Sequence, residues 1–104
     1  MSITFSTLAG EVNFSNSNAL LLQRAMGLEP DYCGQMPAAE FNRAAWAAWT
    51  LDDLALARFV RPKRIEQGAG GAVLYDCALD LSDIRARLLR LATELGAEGT
   101  VSWG

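Results

Sequence analysis

The stretch ITFSTLAGEVNFSNSNALLL, residues 3–22, changes its hydrophobic period partway along, and that change decides the fold class. Ile3 and Phe5 alternate with polar neighbours, as do Val12 and Phe14, and Gly10 sits in the connection between them. Period two on either side of a turn predicts a β-hairpin. From Ala19 the chain runs apolar to Met26 and stops at Gly27, which predicts a helix closed by glycine at its C-terminal cap. The three asparagines of NFSNSN, residues 13–18, fall at the start of that helix. A side-chain carbonyl there accepts a bond from an orphan backbone N–H and contributes about 1 kcal/mol, so Asn16 is the expected cap. The same residues have a second reading. Asn16 and Asn18 can hydrogen-bond the polar edge of a small nucleotide-like ligand, and helix N-termini attract anions.

Beyond the turn EPDYCGQ, residues 29–35, Pro37 suits the first position of a second helix, where its missing N–H costs nothing. Phe41, Ala45, Ala48 and Trp49 follow helical spacing there and mark a buried stripe. Thr50 with Asp53 resembles a capping box and predicts a short third helix through Leu51 to Ala57. Pro62 confines any strand in RFVRPKRI to a sheet edge or an irregular path. GAGG, residues 68–71, turns the chain into a strand from Ala72 to about Cys77. Asp80 or Ser82 then caps a helix whose Ile84, Leu88, Leu91, Ala92 and Leu95 share one face, and Gly96 and Gly99 stop it. TVSWG closes as a terminal strand. A strand, a helix and a strand in that order predict a right-handed parallel crossover, with the hairpin extending the same sheet. The expected architecture is a single α+β domain over residues 1–104. It has a single-layer sheet, made of the N-terminal hairpin and the C-terminal strands, packed against three to four helices.

A chain of 104 residues that is 51% hydrophobic can bury one core without a metal or a disulfide. A formal net charge of -3 and a pI near 4.8 argue against generic nucleic-acid binding. No apolar run approaches the roughly 20 residues of a membrane helix, and MSITFSTLAGEVNFS lacks a positive start followed by an apolar core. The expectation is a cytoplasmic protein with no membrane partner, in which Cys33 and Cys77 are thiols packed as small hydrophobes. The absence of histidine eliminates Ser-His-Asp and Cys-His arrangements and the usual zinc ligand sets. An enzyme built on Asp76, Asp80 or a cysteine would have no locatable base, so neither catalysis nor a cofactor or metal is expected.

Two features point instead to binding. Trp46 lies about 100 to 150 degrees around the second helix from Phe41, which turns it partly away from the buried stripe, and tryptophan is enriched at interface hot spots. The competing reading is a helix buried on more than one side. Arg58, Arg61, Lys63 and Arg64 supply four of the nine basic residues within seven positions, beside Phe59. Such a run reads either as a solvated loop or as a surface that meets an anionic partner. Trp46, Arg61, Lys63 and Arg64 are therefore the candidate contact residues. Arg85, Arg87 and Arg90 are expected to lay their stems along the rim of the last helix's apolar stripe.

The succession NFSNSNALLLQRAMGL, YCGQMPAAEF, DCALDLSDIRARLLRLATELG and VSWG resembles, over almost its whole length, a group of small proteins of bacteria and their phages that has no assigned activity. The landmarks of that group correspond here to Asn16, Asn18, Gly34, Pro37, Arg87, Leu88, Leu91, Trp103 and Gly104. Ala78 stands where the pattern has glycine. The resemblance implies a mobile-element context, in which small proteins act by binding and blocking host machinery. It leads to the expectation of a non-enzymatic accessory protein that inhibits a host protein or complex, plausibly one of a defence system. A ligand-sequestering protein and a homodimeric structural component are the alternatives.

Overall fold

The computed structural model describes residues 1–59, 63–66 and 73–104, of which 63–66 and 73–80 are described by their backbone alone. The chain is an α+β fold. Strands β1 (Ser2–Thr7) and β2 (Gly10–Ser15) form the N-terminal hairpin, followed by α1 (Asn16–Ala25), β3 (Gly34–Pro37), α2 (Ala38–Trp49) and α3 (Asp53–Ala57). Then come β4 (Lys63–Glu66), β5 (Val73–Asp76), α4 (Cys77–Glu94) and β6 (Thr100–Trp103). Four strands make one antiparallel sheet in the order β2-β1-β6-β3, while β4 and β5 pair antiparallel with each other.

The hairpin follows its period-two pattern. Ile3, Phe5, Val12 and Phe14 are all buried on one face of the sheet, while Glu11, Asn13 and Ser15 are exposed on the other. Three stripes at helical spacing close over the buried face: Ala19 and Leu22 of α1, Ala38, Phe41, Ala45 and Ala48 of α2, and Ile84, Leu88, Leu91 and Ala92 of α4. Phe5 is the hub. Its ring lies 5.7 Å from that of Phe41, 5.6 Å from Trp103 and 6.3 Å from Phe14, within the range of favourable aromatic pairing. Gly34 sits directly under Trp103, where a Cβ would come within 2.6 Å of the indole, so glycine is what allows β3 to reach its place beside β6.

Several expectations are corrected. The parallel crossover does not form: β5 pairs with β4, and β6 inserts between β1 and β3 with antiparallel neighbours on both sides. Strand β3 spans the end of the segment read as a turn and the residues just before α2, because four residues containing Gly and Pro carry too little periodicity to register. Ser15, not Asn16, caps α1, its hydroxyl accepting from the Asn18 N–H at 3.3 Å, and Asn16 is the first helical residue. Pro37 is the N-cap of α2 rather than its first residue, with ψ 131° continuing the strand. Asp52 caps α3 by accepting from the Ala55 N–H at 2.8 Å, while the Thr50 hydroxyl donates to the Ala47 carbonyl. Helix α4 begins at Cys77, so Asp80 and Ser82 lie within it and not at its cap, and Ala78 needs no special backbone. Gly27 and Gly96 take positive φ just past the ends of α1 and α4, as helix stops require, and Gly99 takes it at the entry to β6.

The segment between α1 and β3 is tied down by one buried polar side chain. Gln23 is fully buried, its Nε2 donates to the Asp31 carbonyl and its Oε1 accepts from the Asp31 N–H, both at 2.9 Å. Trp103 Nε1 donates to the same carbonyl at 3.3 Å. Gln23→Leu removes both glutamine bonds at once and is expected to lower unfolding free energy by about 1–3 kcal/mol in urea titrations. An unchanged midpoint would show that the clip contributes nothing.

Candidate partner-binding site

Helix α2 has two faces of different character. Ala38, Phe41, Ala45 and Ala48 pack inward, and Ala39, Arg43, Trp46 and Thr50 form an exposed row at i, i+4, i+7 and i+11. Trp46 is thus on the outer side, as its angular distance from Phe41 implied. Trp49, expected in the buried stripe, is corrected: it is as exposed as Trp46, both at 37%. The inner positions next to it are Ala45 and Ala48, both buried where α2 packs on α4. The two rings instead meet perpendicular to each other at 5.6 Å, so each fixes the other's orientation.

The end of α2 that carries this pair is fastened by Arg85 of α4. Its Nη1 donates to the Trp49 carbonyl at 2.7 Å, and its Nη2 donates to the Leu51 carbonyl at 2.8 Å and to Oδ1 of Asp53 at 2.7 Å. Helix C-termini leave carbonyls without intrahelical partners and carry partial negative charge, and α2 has neither a basic residue in its last turn nor a glycine after it. A planar guanidinium from a neighbouring helix meets that need and joins α2, α3 and α4 at one corner. Arg85 was expected to lie along the rim of α4, and its role as a clamp went unread. The signal was the uncapped end of α2, but the partner lies 36 residues away from Trp49. Arg90 does behave as a rim residue, its guanidinium carbon 5.7 Å from the centre of the Phe14 ring.

The remaining candidates are placed as follows. Arg61 lies outside the described residues, and for Lys63 and Arg64 the description reaches the backbone of β4, where they stand opposite Asp76 and Tyr75. Arg58 is exposed at the C-cap of α3. Asn16 and Asn18 are half-buried at the start of α1, which packs mainly on β1, β2 and α4 rather than on α2. Cys33, expected to pack as a small hydrophobe, is exposed in the loop just before β3. An open cleft of about 440 Å³ is lined by Leu8, Ala9, Gly96, Ala97 and Glu98, a set with a carboxylate and no cation to meet a phosphate. Among the described residues no group of three or more acidic or cysteine side chains is placed to hold a metal, and no helix is long and apolar enough to cross a membrane.

Arg85→Ala is expected to lower stability by about 1–3 kcal/mol in urea or thermal unfolding, because the Trp49 carbonyl at the end of α2 and the Leu51 carbonyl in the link to α3 lose a charged donor. Asp53→Asn should cost much less, since the Asp53 side chain is 76% exposed and such ion pairs contribute little. Equal losses from the two variants would contradict the clamp.

The chain matches no protein-family model, no curated protein and no solved structure, so the corner of α2, α3 and α4 is where a functional reading has to begin.

Proposed function

We propose that the protein is a non-enzymatic binding protein that docks a partner protein or complex through the outer face of α2, with Trp46 as anchor. The observation that carries this reading is the perpendicular Trp46–Trp49 pair, exposed on a helix whose inner face and C-terminal end are both held fast. Exposed large aromatics with few rotatable bonds lose little entropy on binding and dominate interface energetics, while charged neighbours set orientation and encounter rate. Arg43 stands one turn from Trp46 on the same exposed row and supplies such a charge. Arg61, Lys63 and Arg64 are carried in this reading as further contact residues on their charge alone.

The resemblance to small bacterial and phage proteins supports a more specific form of the same proposal. The chain would be a phage or prophage accessory protein that acts in the bacterial cytoplasm by inhibiting a host macromolecule, plausibly a component of a defence system.

The test is affinity purification of the tagged protein from bacterial cells, identification of what is retained at near-stoichiometric amounts, and reconstitution with the purified partner. Trp46→Ala is expected to weaken the reconstituted complex by about 2 kcal/mol or more, roughly thirtyfold, with its thermal midpoint lowered only modestly by loss of the contact with Trp49. A folded Trp46→Ala variant that binds as tightly as the parent would remove Trp46 from the site.

A further inference from the structure

The hydrogen-bonding direction of each strand residue follows from one pair. Thr4 N–H donates to the Gly104 carbonyl at 3.1 Å and the Gly104 N–H donates to the Thr4 carbonyl at 3.3 Å, so the even residues of β1 face β6. The odd residues Ile3, Phe5 and Thr7 then face β2, where they meet Phe14, Val12 and Gly10. That leaves Glu11, Asn13 and Ser15 with backbone groups directed away from the sheet along its outer edge. All three residues are exposed, and among the described residues no strand, helix or side chain bonds the outward N–H and C=O groups of Glu11 and Asn13.

The opposite edge is differently made. The Ala38 N–H donates to the Gly99 carbonyl at 2.8 Å, which turns Met36 and Gly34 toward β6 and Gln35 and Pro37 outward. Strand β3 has four residues, and one of its two outward positions is a proline with no N–H to offer. Strand β2 has six residues and no proline, and Glu11 is its one charged residue, so it carries less protection against pairing than β3.

We propose that β2 pairs antiparallel with β2 of a second copy of this chain, about a two-fold axis at Asn13, to give one continuous eight-stranded sheet. The strand is its own complement in this arrangement. Asn13 faces Asn13 of the second copy and exchanges both backbone bonds with it, as a residue in a narrow antiparallel pair does. Glu11, the one charged residue of the strand, faces an uncharged Ser15 rather than another carboxylate, so no like charges oppose across the axis. The Ser15 hydroxyl accepts from Asn18 N–H and keeps its own proton to donate to that carboxylate. A second copy is the occupant argued for because the two-fold at Asn13 by itself sets the register that pairs Asn13 with an identical residue and Glu11 with an uncharged one. The face involved is not the Trp46 surface, and the two proposals stand or fall separately.

The experiment is molar mass by light scattering and sedimentation over micromolar to millimolar chain concentration, with amide hydrogen exchange on the same samples. The parent is expected to approach twice the chain mass of 11.2 kDa, with the Asn13 amide slowed as the dimer forms. Asn13→Pro removes the central outward N–H, and Asn13→Lys sets two ammonium groups face to face while leaving the backbone intact. Both are expected to halve the molar mass, with Asn13→Lys retaining the parent's far-ultraviolet circular dichroism, and Trp46→Ala is expected to leave the mass unchanged. A parent that stays monomeric throughout overturns the proposal. So does a dimer that survives Asn13→Lys, or one in which the Asn13 amide still exchanges at the rate of an open edge.

Discussion

The contact of Phe41 with Phe5 and Trp103 joins the helical layer to the sheet at the place where the first and last strands lie side by side. Strand β6 has β1 on one side and β3 on the other, so the sheet is not assembled until the end of the chain has entered it. Its backbone bonds to β1 are few, and the aromatic contact does much of the work of holding the two together. The same contact fixes α2, because Phe41 is the residue that this helix inserts among those rings. From there the remaining attachments follow in order. Asn42 Nδ2 donates to the Ala92 carbonyl at 2.8 Å and ties α2 to α4, and the Thr7 hydroxyl donates to the Leu95 carbonyl at 2.6 Å and ties the end of α4 to β1.

A helix anchored so firmly on one side can carry an apolar load on the other. Phe41 and the three inner alanines set the depth of α2, Arg85 satisfies its C-terminal carbonyls, and Trp46 and Trp49 are left outside as a preoriented pair. Preorganisation matters because binding then does not have to order the residues that make the contact. The clamp and the binding surface are therefore linked: the arginine that completes the fold at this corner also holds the backbone on which Trp49 stands.

What was legible in the sequence was whatever rests on a repeating pattern. The hairpin alternation at Ile3, Phe5, Val12 and Phe14, the glycine stops at Gly27 and Gly96, and the face of α4 each contain several residues that report the same thing, and the structure agrees with them. Readings that rested on a single residue went astray by one position or more. At the start of α1 and again before α3, two or three neighbours were chemically able to cap, and the backbone selected Ser15 and Asp52. The position of β6 was out of reach for a different reason. Strand order is fixed by long-range packing of Phe5, Phe41 and Trp103, and a local pattern of strand, helix and strand fits a parallel crossover equally well. At the candidate site the outward turn of Trp46 was visible from helical geometry, but Trp49 fell at the border of the stripe, where helical spacing alone does not decide which way a side chain turns.

The most direct test of the two-faced helix uses the three tryptophans, which report on its outside and its inside at once. With the indole nitrogens labelled, the spectrum of the protein should show three side-chain signals, and the reconstituted partner should be added to it. The account predicts that the signals of Trp46 and Trp49 shift and become protected from solvent exchange, while that of Trp103, bonded to the Asp31 carbonyl, stays where it was. Movement of Trp103 alone, or of none of the three at saturating partner, would mean that the outer face of α2 is not where this protein binds.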